Sequence, residues 1–176
     1  VELQLPKGWT EWDNSPIILF HGTTAPAAAS ILKGVDVSMG NSDCDFGRGF
    51  YTTTLYSQAL DWAARQAVSK PVVGRPAIVK LTLDRNALSQ LNHLGFVRKG
   101  QDAVDYWRFV FNCRQERSHK VDLGEYYDVV YGPVAEIWSD PARRSTFPRF
   151  DQISFHTPHA QALLNDDVRC QKEIVL

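Results

Sequence analysis

From Ile17 onward the chain sets short β-branched or aromatic runs beside short helical stretches, without a regular strand–helix–strand cadence. That order is the strongest constraint on the fold. A doubly wound parallel sheet needs the cadence, whereas an α+β arrangement does not. "IILFHGT" (Ile17 to Thr23) reads as a buried strand. "APAAASILKG" reads as a short helix, with Pro26 in the first turn, where its missing N–H costs nothing, and Gly34 as the C-cap. "GFYTTT" reads as a strand. Ser57 then caps a helix whose Leu60, Ala63, Ala64 and Ala67 share one face. "PAIVKLTLD" reads as a half-buried strand. "DAVDYWRFVFNCRQ" reads as an amphipathic helix presenting Val104, Trp107, Arg108 and Phe111. "YYDVVYGPVA" is expected to be a strand ended by Gly132-Pro133. "FDQISFHT" is another strand, with Gln152, Ser154 and His156 on one face, the wet side of a sheet. Pro158 opens the short helix "PHAQALLND", and "CQKEIVL" is a final edge strand. The leading "PKGWTEWDNS" is polar and turn-rich.

The 176 residues suit one domain, which would bury roughly two-thirds of the surface of the unfolded chain. A net charge of −1 provides no global field to draw nucleic acid or anionic membrane. Arg143, Arg144 and Arg149 could form a local basic patch, though a solvated loop explains them as well. Cys44, Cys113 and Cys170 are far apart and lack CxxC spacing, which argues against a zinc ribbon. Reduced thiols suit a cytosol-like compartment and are compatible with a secreted effector. No apolar segment is long enough to span a bilayer. The sequence begins at Val1, so a leader or upstream domain would be invisible in it.

The stretch from Asp43 to Ala67, "DCDFGRGFYTTTLYSQALDWAARQA", is the densest in candidate site residues. Gly47, Arg48 and Gly49 precede Phe50 and Tyr51, and Trp62 follows on a helix. The glycines match neither GxGxxG nor the Walker pattern, and on their own they indicate a turn or a close backbone approach. Upstream, His21 stands before Gly22, a position that lets a ligand reach backbone N–H and C=O. Those two groups suit a carboxamide, which offers one acceptor and two donors. His156 and His159 have no third partner at metal-ligand spacing, and no GxSxG elbow supports a serine hydrolase.

Together "FHGT", "DFGRGFYTTT…QALDWA" and "DQISFHT" resemble the three-part signature of the ADP-ribosyltransferase superfamily. The branch is the diphtheria-toxin and poly(ADP-ribose) polymerase type, with a histidine–tyrosine–glutamate triad. "DFGRGFY", "VVYGPVA" and "QISFHTPHAQALL" are most similar to a family of largely uncharacterised microbial domains assigned to that superfamily. The resemblance runs from about Ile17 to Asn165, within one domain covering residues 1–176. It implies an α+β split β-sandwich of two antiparallel sheets with flanking helices and a central cleft for NAD+ as co-substrate, without a metal.

Residue by residue, the resemblance makes His21 the ligand of a ribose hydroxyl and Gly22 the backbone clamp on the nicotinamide amide, with Thr23 beside it. Tyr51 would stack on the nicotinamide ring, and Trp62 falls where a second stacking tyrosine is usual. Arg48 is a candidate diphosphate contact next to Gly49. At the third position glutamate is replaced by Gln152, with Ser154 as the alternative alignment, and Ala59 replaces a serine that contacts nicotinamide. Glutamine brings no charge to the oxocarbenium ion formed by glycosidic cleavage, so chain elongation is not expected. The expected activity is mono-ADP-ribosyl transfer to an acceptor, a protein in preference to nucleic acid. The alternatives are NAD+ hydrolysis and an inactive NAD-binding or protein-interaction module.

Overall fold

The computed structural model describes residues 15–69, 74–97, 101–116 and 127–176. The polar opening stretch lies outside them apart from Ser15. Within them the fold is α+β, with two sheets, three and four strands wide, and five α-helices.

The three-stranded sheet has strand β3 (Pro76–Leu83) at its centre, between β1 (Ile17–Thr24) and the edge strand β7 (Cys170–Ile174), all antiparallel. Ala77, Val79, Leu81 and Leu83 are buried on one face and Ile78 on the other, so β3 is covered on both faces there and not only half-buried as its alternation predicts. The four-stranded sheet runs in the order β2 (Phe50–Thr52), β6 (Ser145–Phe155), β5 (Val129–Ile137) and β4 (His93–Gly95). Leu19, Val79 and Leu81 meet Phe50, Val129 and Phe155 in the main core between the sheets. Helix α1 (Ala25–Lys33) starts with Pro26 in its first turn and ends at Gly34, and α5 (Pro158–Leu164) is capped by Thr157, whose Oγ1 accepts the Ala160 N–H.

Several expectations are corrected. β4 and β5 pair in parallel, so the four-stranded sheet is not purely antiparallel. A parallel pair needs a long crossover, and helix α4 (Gln101–Glu116) lies between the two strands in sequence. β5 does not end at Gly132-Pro133. It continues to Ile137 with a register shift after Pro133, and residues 147–150 of β6 take up the extra length. The short helix α3 (Arg85–Ser89) was not foreseen; Asp84 caps it by accepting the Ala87 N–H.

Two helix faces also differ from expectation. Helix α2 (Tyr56–Ser69) begins before Ser57, and Thr53 Oγ1 accepts the Leu55 N–H ahead of it. Its buried residues are Ala59 and Ala63, packed on Ile78, while Leu60 and Ala64 are exposed. Gly22 sets this seating, because a Cβ there would lie 1.9 Å from the Ala59 carbonyl oxygen. On α4 the buried stripe is Tyr106, Val110 and Cys113, whereas Val104 and Phe111 are exposed. Tyr106 and Val110 cover Phe46, Phe96 and Val130 on the outer face of the four-stranded sheet. That cover makes the Gln152–Ser154 face of β6 a buried one, not the wet side expected from its polarity.

Candidate functional site

Among the described residues the two sheets touch edge to edge through one bridge, in which Phe20 and Thr53 exchange N–H···O=C bonds of 2.8 and 2.9 Å. Backbone groups alternate in direction along a strand. Phe20 therefore directs its groups away from β3, and Gly22, two residues on, does the same. Ile78, opposite Gly22, confirms the phase by exchanging its bonds with Leu176 and Val175. On the other side Tyr51 faces the gap as Thr53 does. Beyond the bridge, β1 and β2 thus present backbone edges to each other without ladder pairing. Gly22 and Tyr51 lie on the face of that gap shared with Phe20 and Thr53; His21 and Phe50 lie on the opposite face.

His21 crosses the gap. Its Nδ1 lies 2.6 Å from the Tyr51 carbonyl oxygen, and its ring stacks on Phe50 at 4.5 Å between centroids. A carbonyl oxygen only accepts, so Nδ1 carries the proton. Burial holds the imidazole pKa below its ordinary value, against the opposing pull of the Tyr51 carbonyl. The ring is neutral at pH 7, and Nε2 keeps its lone pair as an acceptor.

Tyr51 is clamped by the glycine loop. Its hydroxyl donates to the Gly47 carbonyl at 2.7 Å and accepts the Phe46 N–H at 3.0 Å. Burial, with nearby Cys44 adding to it, raises the phenol pKa well above 10, so the group stays protonated. Gly47 adopts a φ of 77°, a left-handed conformation that favours glycine. Gly49 is needed for space, since a Cβ there would come within 2.6 Å of His156 Nδ1 and the Phe155 carbonyl oxygen. His156 stands edge-on to Tyr51 at 6.1 Å between centroids. Its Nδ1 lies 2.7 Å from the Arg48 carbonyl oxygen, and its Nε2 lies 2.7 Å from Ser154 Oγ. Ser154 pairs with Tyr51 across the sheet and is fully buried.

Gln152 sits two pairs further along, on the same face of β6, and is buried. Its Nε2 donates to Asp45 Oδ2 at 2.7 Å and to the Pro133 carbonyl at 2.8 Å. Both partners are acceptors, so the orientation of the amide is fixed by chemistry. Asp45 also accepts the Ala135 N–H at 2.7 Å and pairs with Arg114 through Nη2 at 2.6 Å and Nε at 3.0 Å. Arg114 in turn lies 5.0 Å from the Trp138 ring. The knot ties the loop before Tyr51 to β5, β6 and α4.

The remaining predicted residues are more loosely placed. Trp62 is 55% exposed on α2, and it makes none of the ring contacts that surround Tyr51. Arg48 is exposed and donates to the Ser38 carbonyl at 3.3 Å. Thr23, on β1, pairs with Ala77 of β3. Among the described residues no group of three or more His, Cys, Asp or Glu side chains is placed to hold a metal ion, and no helix is long and apolar enough to cross a membrane. All three cysteines are free thiols, and burial pushes the Cys44 and Cys170 thiols up to about 11.

Sequence reasoning missed Asp45, Arg114 and Asp151, and weighed His156 only as a metal ligand. Asp45 carried a usable signal, an acid inside a motif read only for its glycines and aromatics. Asp151 accepts from Thr53 Oγ1, from the Thr54 N–H and from the Thr54 hydroxyl, and it lies half-buried beside a cavity of about 340 Å³. His21, Gly22, Tyr51 and Trp62 do not line that cavity.

No curated protein matches the chain. A family model described as "Protein of unknown function (DUF3990)" matches residues 17–139, a span running from β1 past the end of β5. That match covers well over half of the chain, which therefore belongs to this family.

Proposed function

We propose that the gap between β1 and β2 binds the nicotinamide end of NAD+, and that the chain is an NAD+-dependent mono-ADP-ribosyltransferase with an ADP-ribosyltransferase-like split sandwich. One observation carries the reading: the unladdered backbone edge of Gly22 stands beside neutral His21 and the clamped Tyr51 ring. The Gly22 N–H and C=O suit the carboxamide, and Tyr51 supplies a face for the pyridinium, worth roughly 0.5–1.5 kcal/mol beyond area burial. His21 Nε2 accepts a ribose hydroxyl. Trp62 would join the stack from α2, and Arg48, Gly49 and Thr23 would flank the rest of the dinucleotide.

In this reading the nicotinamide–ribose C–N bond breaks with its electron pair leaving on nicotinamide. The resulting oxocarbenium is trapped by an acceptor nucleophile, whose proton passes to solvent. Gln152 is the third residue. Both its N–H groups are held by Asp45 and Pro133, so Oε1 is its available acceptor, and the Asp45 carboxylate polarises the amide towards that oxygen. Without a full charge there, positioning carries more of the rate. NAD+ hydrolysis is the same chemistry with water as acceptor.

The second reading, a non-catalytic NAD-binding module, is favoured by the structural duty that Gln152 already performs. Nicotinamide release separates the possibilities: a transferase needs an added protein acceptor, a hydrolase needs none, and a binding module releases nothing. In all three cases NAD+ should raise the melting temperature by mass action. A melting temperature unmoved by millimolar NAD+ sinks both readings.

A further inference from the structure

The 340 Å³ cavity lies on the inward face of the four-stranded sheet, beyond the edge of the main core. The core pair Val129 and Phe155 is followed along that face by Tyr131 with Ile153, then Pro133 with Asp151. Tyr131, Ile153 and Asp151 of that face line the cavity together with Phe96 and Phe150, and Thr54 and Gln152 are the other polar residues of the lining. Tyr131, though 45% exposed, is seated, because its ring fills the space where Gly95 has no Cβ. Phe150 stacks on Phe147 at 5.3 Å within the four-residue irregularity of β6.

The charge balance makes this cavity unusual. Every side-chain or backbone donor on the Asp151 carboxylate is neutral, and among the described residues no lysine, arginine or histidine pairs with it. A half-buried carboxylate without a counter-charge, facing aromatic rings, is complementary to a weakly hydrated, flat cation. We propose that the cavity binds the guanidinium of an arginine side chain on a partner polypeptide. The planar cation stacks on Tyr131 and donates to the one lone-pair site of Asp151 that Thr53 and Thr54 leave open. A polypeptide fits better than free arginine because, among the described residues, no lysine or arginine lines the cavity to receive an α-carboxylate. The inference does not rest on NAD+ binding: His21, Gly22, Tyr51 and Trp62 do not line the cavity, and Asp151 and Tyr131 have no part in the dinucleotide site.

The test is an amide-shift NMR titration of the intact chain with Nα-acetyl-arginine N-methylamide, its citrulline counterpart and free arginine. Binding of the capped arginine should move the Tyr131, Gly132 and Ile153 amides. The neutral citrulline probe and free arginine should each bind at least tenfold more weakly. Asp151→Asn should weaken the arginine probe tenfold or more, and Tyr131→Leu at least threefold. Should Asp151→Asn fold poorly through its threonine bonds, the wild-type comparison of probes and the Tyr131 variant still decide. Equal binding of arginine and citrulline probes, shifts confined elsewhere, free arginine binding as tightly as the capped form, or no binding at 20 mM probe would each overturn the proposal.

Discussion

His21 donates its Nδ1 proton across the gap to the main-chain oxygen of Tyr51, 2.6 Å away. One hydrogen bond thereby fixes three things: the separation of β1 from β2, the tautomer of the imidazole, and the availability of Nε2. His21→Ala should remove most of the thermal protection given by NAD+ while lowering the melting temperature of the free protein only modestly. Parallel thermal scans with and without NAD+ check this; an unchanged NAD+-induced shift would detach His21 from the ligand.

The same histidine couples folding to pH. Its folded-state pKa lies below the ordinary 6.5, so below that pH the unfolded chain takes up a proton that the folded chain refuses. This contribution to stability is complete above pH 6.5 and declines as the pH falls, by at most about 1.4 kcal/mol per pH unit for one proton. His21→Gln should make the stability profile flatter between pH 6.5 and 5. Urea midpoints measured across that range for both proteins provide the comparison, and identical slopes would count against the coupling.

Gly22→Ala should be strongly destabilising, because its Cβ would sit 1.9 Å from the Ala59 carbonyl oxygen in the backbone of α2. Overpacking of this kind costs roughly 1–3 kcal/mol or more. Gly34→Ala is the control, since its nearest new contact is Asn165 Oδ1 at 3.8 Å. Denaturant unfolding of the two variants should separate them clearly; similar midpoints would mean that α2 shifts freely.

The Asp45 knot predicts a penalty for adding charge as well as for removing it. Arg114→Met leaves the Asp45 carboxylate buried beside Gln152 and should cost roughly 3–5 kcal/mol. Gln152→Glu sets a second carboxylate where an N–H now meets Asp45 Oδ2 at 2.7 Å. That variant should be less stable than wild type at pH 7 and recover as the pH falls and the pair shares a proton. A Gln152→Glu protein as stable as wild type at pH 7 would show that the knot rearranges.

Trp62 is exposed enough to meet a ligand without first leaving a core. NAD+ should quench its emission more than ADP-ribose does, because only NAD+ carries the electron-accepting pyridinium. The difference should vanish in Trp62→Phe. Equal quenching by the two ligands would remove Trp62 from the nicotinamide pocket.

Much of the fold was legible because local signals and tertiary packing agree there. Pro26 and Gly34 do bracket α1, and Pro158 does open α5. Helical periodicity misled on α2 and α4, where several stripes were available and the seat was chosen elsewhere. Gly22 draws in Ala59 and Ala63, and the Phe46–Phe96 cluster draws in Tyr106 and Val110. At the candidate site, the residue types around His21 and Tyr51 could be read, but their hydrogen bonds could not. The Tyr51 clamp depends on the path of the loop from Phe46 to Gly49, and the Gln152 knot joins residues more than a hundred positions apart.

β6 joins two strands that are far apart in the sequence. It lies between β2 and β5, pairing Phe50 with Phe155 and Val129 with the same Phe155, yet it begins at Ser145, beyond the family match ending at residue 139. A fragment cut at that limit would leave β2 and β5 without the strand that spaces them, exposing both edges and the Phe50 side of the core. It should therefore be prone to aggregation. The full sheet closes only after residues about a hundred positions apart have met, a topology associated with slow folding. The boundary at which sequence similarity fades is thus not a boundary at which the protein can be divided.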